Sequence, residues 1–172
     1  CYVQTDEGKL DKDEAVDLIL GNNQKGNIVQ VLEEYEQQHT RQKHVLKINQ
    51  TKEYEELAID HTAEHVRAYI KVQDGCNQFC TYCIIPYIRG NYRSVPMERL
   101  IKEAQELADQ GVKELILVAQ ETTVYGQDIY GEKSLHKLLK ELCQIKGIRW
   151  IRLLYCYPEE IDDNLIQVMK EE

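Results

Sequence analysis

The chain has 172 residues, 42% of them hydrophobic and 30% charged, with a net charge of −9. That length suits one ordinary domain or parts of two, and the composition is that of a soluble globular chain. Apolar runs near five residues (LILVA, 115–119) exclude a membrane-spanning helix, and the acidic balance argues against a broad nucleic-acid surface.

No secretory signal pattern is visible, so a cytoplasmic location is expected. The first residue is Cys1 and the last, Glu172, falls inside a helical pattern, so a piece of a longer protein is expected. The six cysteines of such a chain point to metal or catalysis before disulfides.

AVDLIL (15–20), closed by Gly21-Asn22-Asn23, reads as a strand and a turn. Asn27 is placed to cap a following helix, with Ile28, Val31, Leu32 and Tyr35 on one face. Residues 1–38 thus read as the tail of an α/β domain. Residues 39–65 are polar and aperiodic, a linker with a short strand expected at VLKI (45–48). Its histidines, His39, His44, His61 and His65, are expected in solvent.

Residues 66–172 repeat one unit. Val66, Ala68, Ile70 and Val72 alternate as in a strand. A helix is expected from Ser94 and Pro96 to about Gln110, its stripe being Leu100, Ile101, Ala104, Leu107 and Ala108, with Glu98 and Lys102 paired on its surface. ELILVA (114–119) reads as a strand buried on both faces. Ser134 opens a second helix, with Leu135, Leu138, Leu139, Leu142 and Ile145 inward. RWIRLLY (149–155) is a third strand, and Asp162 or Asp163 opens a third helix. Such an order implies a parallel sheet, whose ligands gather beyond the strands' carboxyl ends. Three segments follow those ends: the loop 75–83, Gln120-Glu121-Thr122-Thr123, and Cys156-Tyr157-Pro158-Glu159.

The loop GCNQFCTYC (75–83) sets Cys76, Cys80 and Cys83 at C-x3-C-x2-C spacing. A closed zinc site needs a fourth ligand. There is no second C-x2-C pair and no nearby histidine, and Cys143 and Cys156 stand alone. A zinc-stabilised binding module for RNA or ribosome remains the alternative of another class. An iron–sulfur cubane held by three thiolates fits better, because it leaves one iron open as a reaction site. Tyr82, directly before Cys83, puts an aromatic ring beside that position.

C-x3-C-x2-C with an aromatic before the last cysteine resembles the signature of the radical S-adenosylmethionine (SAM) enzymes. GCNQFCTYCIIPYIRG (75–90) resembles the methylthiotransferases among them. The resemblance implies an α/β fold: a partial parallel (βα) radical-SAM barrel over 66–172, preceded by the tail of an N-terminal methylthiotransferase domain (1–38) and a linker (39–65). It implies a [4Fe-4S] cluster on Cys76, Cys80 and Cys83, whose open iron takes SAM. Reductive cleavage of SAM, fed by a donor such as flavodoxin or ferredoxin, then opens an unactivated C–H bond to a methylthio group. CYVQ resembles the family's Gly-Cys-x-x-Gln, which makes Cys1 a ligand of a second [4Fe-4S] cluster in the intact protein. Gln120 and Glu121 fall where the family binds the methionyl amine, and Arg89 of IIPYIRG matches its motif, apt for bidentate carboxylate pairing. Tyr155 and Tyr157 are candidates for the pocket or the core, and Cys143 is expected as a small buried hydrophobe.

The family modifies either an adenosine of tRNA or an aspartate of a small-subunit ribosomal protein. RAYIKVQDGCNQFCTYCIIPY resembles the tRNA branch, whereas AQETTVYGQDIYG (119–131) and IRLLYCYPEEI (151–161) resemble the ribosomal-protein branch. The later segments favour the ribosomal-protein aspartate.

Overall fold

The computed structural model describes residues 1–51, 54–55 and 66–172 of the chain. His61 and His65 lie outside the described residues. The chain divides into two compact units, residues 1–58 with 76–91 and residues 59–75 with 92–172.

The first unit runs α1 (Tyr2–Leu10), β1 (Leu18–Leu20), α2 (Ile28–Gln38), β2 (Gln42–His44) and α3 (Ile85–Arg89). β1 and β2 pair in parallel, Leu18 opposite Gln42 and Leu20 opposite His44, with α2 as the crossover. The expected strand at 45–48 is therefore displaced to 42–44. None of the three residues of β2 is buried, so no apolar period marks the strand, and the buried Ile48 instead starts a 3₁₀ turn. α2 buries only Val31 of its expected face, because so small a sheet covers little of a helix. A helix at 2–10 was not legible in the sequence: it kinks at Asp6 and buries no side chain. Tertiary bonds hold it instead. The Arg41 guanidinium donates to the carbonyls of Leu10 (2.7 Å) and Asp13 (3.0 Å), capping its carboxyl end.

The second unit contains β3 (Arg67–Lys71), β4 (Gln73–Asp74), β5 (Arg93–Ser94), α4 (Met97–Asp109), β6 (Glu114–Val118), α5 (Gln127–Tyr130), α6 (Leu135–Cys143), β7 (Trp150–Leu153) and α7 (Asp163–Glu171). Its main sheet is parallel, in the order β3-β6-β7. The uninterrupted apolar run forms the central strand, where both faces are covered, and Ala68 and Ile70 of β3 pair with its Leu115 and Leu117. Leu100, Ala104, Leu107 and Ala108 of α4 and Leu135, Leu138, Leu139 and Leu142 of α6 are buried as their spacing requires. Gly111, at φ +99°, takes the left-handed conformation beyond α4 that a side chain would resist. Asp162 caps α7 by accepting the Leu165 N–H at 2.9 Å.

Two details differ from expectation. Ser94 does not cap α4. It lies in β5, antiparallel to β4, where its hydroxyl donates to Gln73 Oε1 (3.1 Å) and its N–H to Asp128 (2.8 Å), so its polar groups are already engaged. Lys102 pairs with Glu106, at 3.8 Å. Among the described residues no helix is long and apolar enough to cross a membrane.

Glu114, at the start of β6, joins Arg152 of β7 (2.5 Å) and Arg67 of β3 (2.7 Å) into a ladder across all three strands. The Arg152 hydrogen bond, with help from Arg67, holds its carboxyl below the usual carboxylate range although burial opposes this. A depressed carboxyl stabilises the fold above its unfolded pKa, ~4.3 for Glu, and that contribution fades as pH falls through the lower folded value. A Glu114→Gln variant should therefore lose less of its thermal midpoint than the parent between about pH 6 and pH 3. A midpoint that fell equally in both would contradict this.

Candidate functional site

In the second unit, the segments leaving the three parallel strands meet at one edge. Gln73 reaches across it, its amide donating to the Glu121 carbonyl at 3.0 Å. The Gly75 N–H, one residue before Cys76, donates to Gln120 Oε1 at 2.7 Å. From the β7 side, Thr122 exchanges two bonds with the turn: its N–H goes to the Tyr155 carbonyl (2.9 Å) and its hydroxyl to the Leu154 carbonyl (2.6 Å).

The Glu121 carboxylate is buried at the centre of this edge. Its Oε1 accepts the Thr123 N–H (2.8 Å), the Thr123 hydroxyl and the Tyr157 N–H (3.3 Å), and its Oε2 accepts the Val124 N–H (3.2 Å). Backbone donors therefore take most of its lone pairs, and Oε2 keeps room for one more donor. Gln120 and Glu121 thus both organise the edge on which they sit. Tyr157 is half-buried and touches that carboxylate through its backbone, whereas Tyr155 is exposed and sits at φ +58°. The Cys156 thiol is raised above its ordinary pKa, first by burial and then by the Glu121 charge, so it stays a neutral thiol. Cys143, expected inside, is exposed at the end of α6.

The cysteine loop belongs to the first unit. The Cys76 N–H donates to the Gly90 carbonyl at 3.2 Å, closing residues 76–90 into a loop whose ends meet. Gly90 sits at φ +74°, and a Cβ there would come within 2.8 Å of the Ile48 carbonyl oxygen, so only glycine fits. Inside the loop the Cys83 N–H donates to the Cys80 carbonyl (2.9 Å), and the Gln78 N–H points at the Cys76 sulfur (3.5 Å). Hydrogen bonds to ligand sulfurs are one lever on a cluster's potential. Cys76 is buried and Cys80 and Cys83 are half-buried. All three are free thiols.

Among the described residues no group of three His, Cys, Asp or Glu side chains is drawn together at metal-holding spacing. The fit to a cluster therefore rests on the donor set: three soft thiols in one closed loop, with no histidine or carboxylate among residues 76–90 to harden it. Tyr82 is 91% exposed beside them. Arg89 is half-buried in α3. Cys1, which precedes α1, is exposed.

Phe79 holds the turn between Cys76 and Cys80 at φ +48°, a left-handed conformation that costs an ordinary residue about 1–2 kcal/mol. Its ring meets Tyr87 of α3 edge-on, with centroids 6.0 Å apart. Phe79→Gly keeps the turn and loses only the ring; Phe79→Val, β-branched, opposes the turn itself. Iron per chain after anaerobic reconstitution should be lower for the valine variant than for the glycine variant. Equal iron in both would show that the turn is immaterial to the ligands.

A family model for the radical SAM superfamily matches residues 70–172. The chain belongs to the radical SAM superfamily. Among characterised superfamily members it is similar to ribosomal protein uS12 methylthiotransferases. With that of Lachnoclostridium phytofermentans it shares 65% identity over 105 residues, 61% of this chain and 24% of the relative. With one from Clostridium botulinum it shares 52% over 152 residues, 88% and 34% of the two chains, and with that of Clostridium novyi 48% over 161 residues, 90% and 34%. The chain thus spans only 24–34% of the length of these relatives.

Some residues of this radical SAM chain were missed in the sequence. Gln73 and Asn22 are buried polar side chains whose partners lie far away in the chain, so no local pattern marks them. Gln4 was visible only as part of CYVQ.

Proposed function

We propose that the complete protein is a radical SAM methylthiotransferase that modifies an aspartate of ribosomal protein uS12. The observation that carries this reading is the closed loop presenting the free thiols of Cys76, Cys80 and Cys83, in a chain similar to uS12 methylthiotransferases over most of its length. Those relatives support the ribosomal-protein branch over the tRNA adenosine branch.

In this reading Cys76, Cys80 and Cys83 hold a [4Fe-4S] cluster, which supplies the electron that cleaves SAM when both are bound. The chain's own residues do the rest. Gln78 donates to the Cys76 sulfur. Tyr82 shields the open iron. Gln120 and the free lone pair of Glu121 Oε2 receive the methionyl amine, and Arg89 pairs with a carboxylate. Cys1 holds a second cluster with cysteines beyond this chain. Residues 1–38 act as the end of the sulfur-delivering domain, 39–65 as linker and 66–172 as the first part of the barrel. A flavodoxin or ferredoxin supplies electrons in the cytoplasm.

Mass spectrometry of uS12 and of total tRNA nucleosides from a deletion strain tests the substrate. The uS12 aspartate should lose its methylthio mass on deletion and regain it on complementation. Unchanged uS12 with a missing methylthio-adenosine would overturn the assignment.

A further inference from the structure

The cysteine loop does not stand on its own bonds. Its exit helix, α3, is gripped by a buried side chain far away in the sequence. Asn22, in the turn after β1, is 2% exposed, and its Nδ2 donates to the Ile88 carbonyl at 2.5 Å. A carbonyl near the end of a helix has no intrahelical partner, so this bond fills a need that water would otherwise serve.

Asn22 is itself seated by Gln4. The Asn22 N–H donates to Gln4 Oε1 (3.2 Å), and Gln4 Nε2 donates to the Leu46 carbonyl (2.8 Å). Gln4 therefore spans the turns that follow β1 and β2 and ties both to the helix that begins beside Cys1. From α3 the fixation passes to the ligands by two routes. One is the Gly90 carbonyl, which accepts the Cys76 N–H; the other is Tyr87, whose ring meets Phe79 between Cys76 and Cys80. A buried amide costs free energy unless it is hydrogen-bonded, so these bonds fix where Asn22 and the helix end it meets must sit.

We infer that Asn22, seated by Gln4, is a positioning residue for the loop that carries Cys76, Cys80 and Cys83, fixing α3, to which both the Cys76 end of the loop and its Phe79 turn are tied. The inference rests on reading those cysteines as iron ligands. Asn22 touches neither iron nor cofactor and acts through Ile88. Groups that orient metal ligands typically change metal retention by 10–100-fold when lost.

The test uses the complete protein, reconstituted with iron and sulfide, with Cys1→Ala added so that only the loop's cluster is read. Asn22→Asp keeps the shape and replaces the donor with an acceptor facing the Ile88 carbonyl. Gln4→Glu keeps the acceptor for Asn22 and loses the donor to Leu46. Leu138→Val weakens the core of the second unit without touching the relay. Iron release to a chelator should be about tenfold faster in Asn22→Asp, faster but by less in Gln4→Glu, and unchanged in Leu138→Val. The change that SAM makes in the spectrum of the reduced cluster should broaden in the first two alone. Should Asn22→Asp fail to fold, Gln4→Glu decides. Release as slow as the parent's in both relay variants overturns the inference, as does equal acceleration in Leu138→Val. A parent that takes up no iron overturns the ligand reading beneath it and the inference with it.

Discussion

A Cys80→Ala variant of the complete protein is expected to lose the loop's cluster outright and to release no 5′-deoxyadenosine when reduced with SAM. The reason lies in the number of ligands. In the proposed reading three thiolates hold a cubane with one iron open, and no histidine or carboxylate in the loop can stand in for a lost one. Cys76 and Cys83 should behave alike. Cys143 and Cys156 should not: the first lies exposed at the end of α6 and the second is kept a neutral thiol by burial and the Glu121 charge. Iron and acid-labile sulfide per chain, together with deoxyadenosine by chromatography, read the result. A Cys80→Ala protein that kept its iron and its cleavage would end the account.

An Asp74→Ala variant is expected to be the most destabilising change near the site. Asp74 and Arg93 form a buried pair at 3.3 Å across β4 and β5, their side chains 2% and 4% exposed, and Lys71 reaches the other Asp74 oxygen at 3.3 Å. Removing one partner of a buried ion pair typically costs about 3–5 kcal/mol. Replacing both by apolar residues of similar volume (Asp74→Leu with Arg93→Met) should cost far less, because the desolvation of both ions is then avoided. Urea titration of the three proteins separates these cases. A loss within about 1 kcal/mol for the single variant would place the pair among ordinary surface pairs and contradict its burial.

What could be read in advance follows from period and length. The parallel sheet of the second unit was legible because its helices carry wide apolar stripes and its central strand carries an unbroken apolar run, Leu115–Val118. The three cysteines stood out because their C-x3-C-x2-C spacing is local in the chain. The first unit was legible only in part. β1 lies inside the apolar stretch AVDLIL that marked it, whereas α1 buries nothing and so shows no period, and β2 formed from the polar Gln42–His44 beside the apolar VLKI. Ser94 misled because a serine before a proline reads as a helix start, whereas bonds to Gln73 and Asp128, remote in the chain, engage it. The same remoteness hid Asn22, whose partner Ile88 is 66 residues away. The position of Glu121 beyond the end of β6 was legible, but its satisfaction by Thr123, Val124 and Tyr157 was not.

The central claim is that the loop of Cys76, Cys80 and Cys83 leaves one iron open for SAM. Electron–nuclear double resonance of the reduced Cys1→Ala protein, with SAM labelled with ¹⁵N at its amine, measures this directly. The account predicts a hyperfine coupling to the label that disappears with Cys80→Ala. A protein holding one zinc and no acid-labile sulfide, or a cluster with no coupling to labelled SAM, would contradict it.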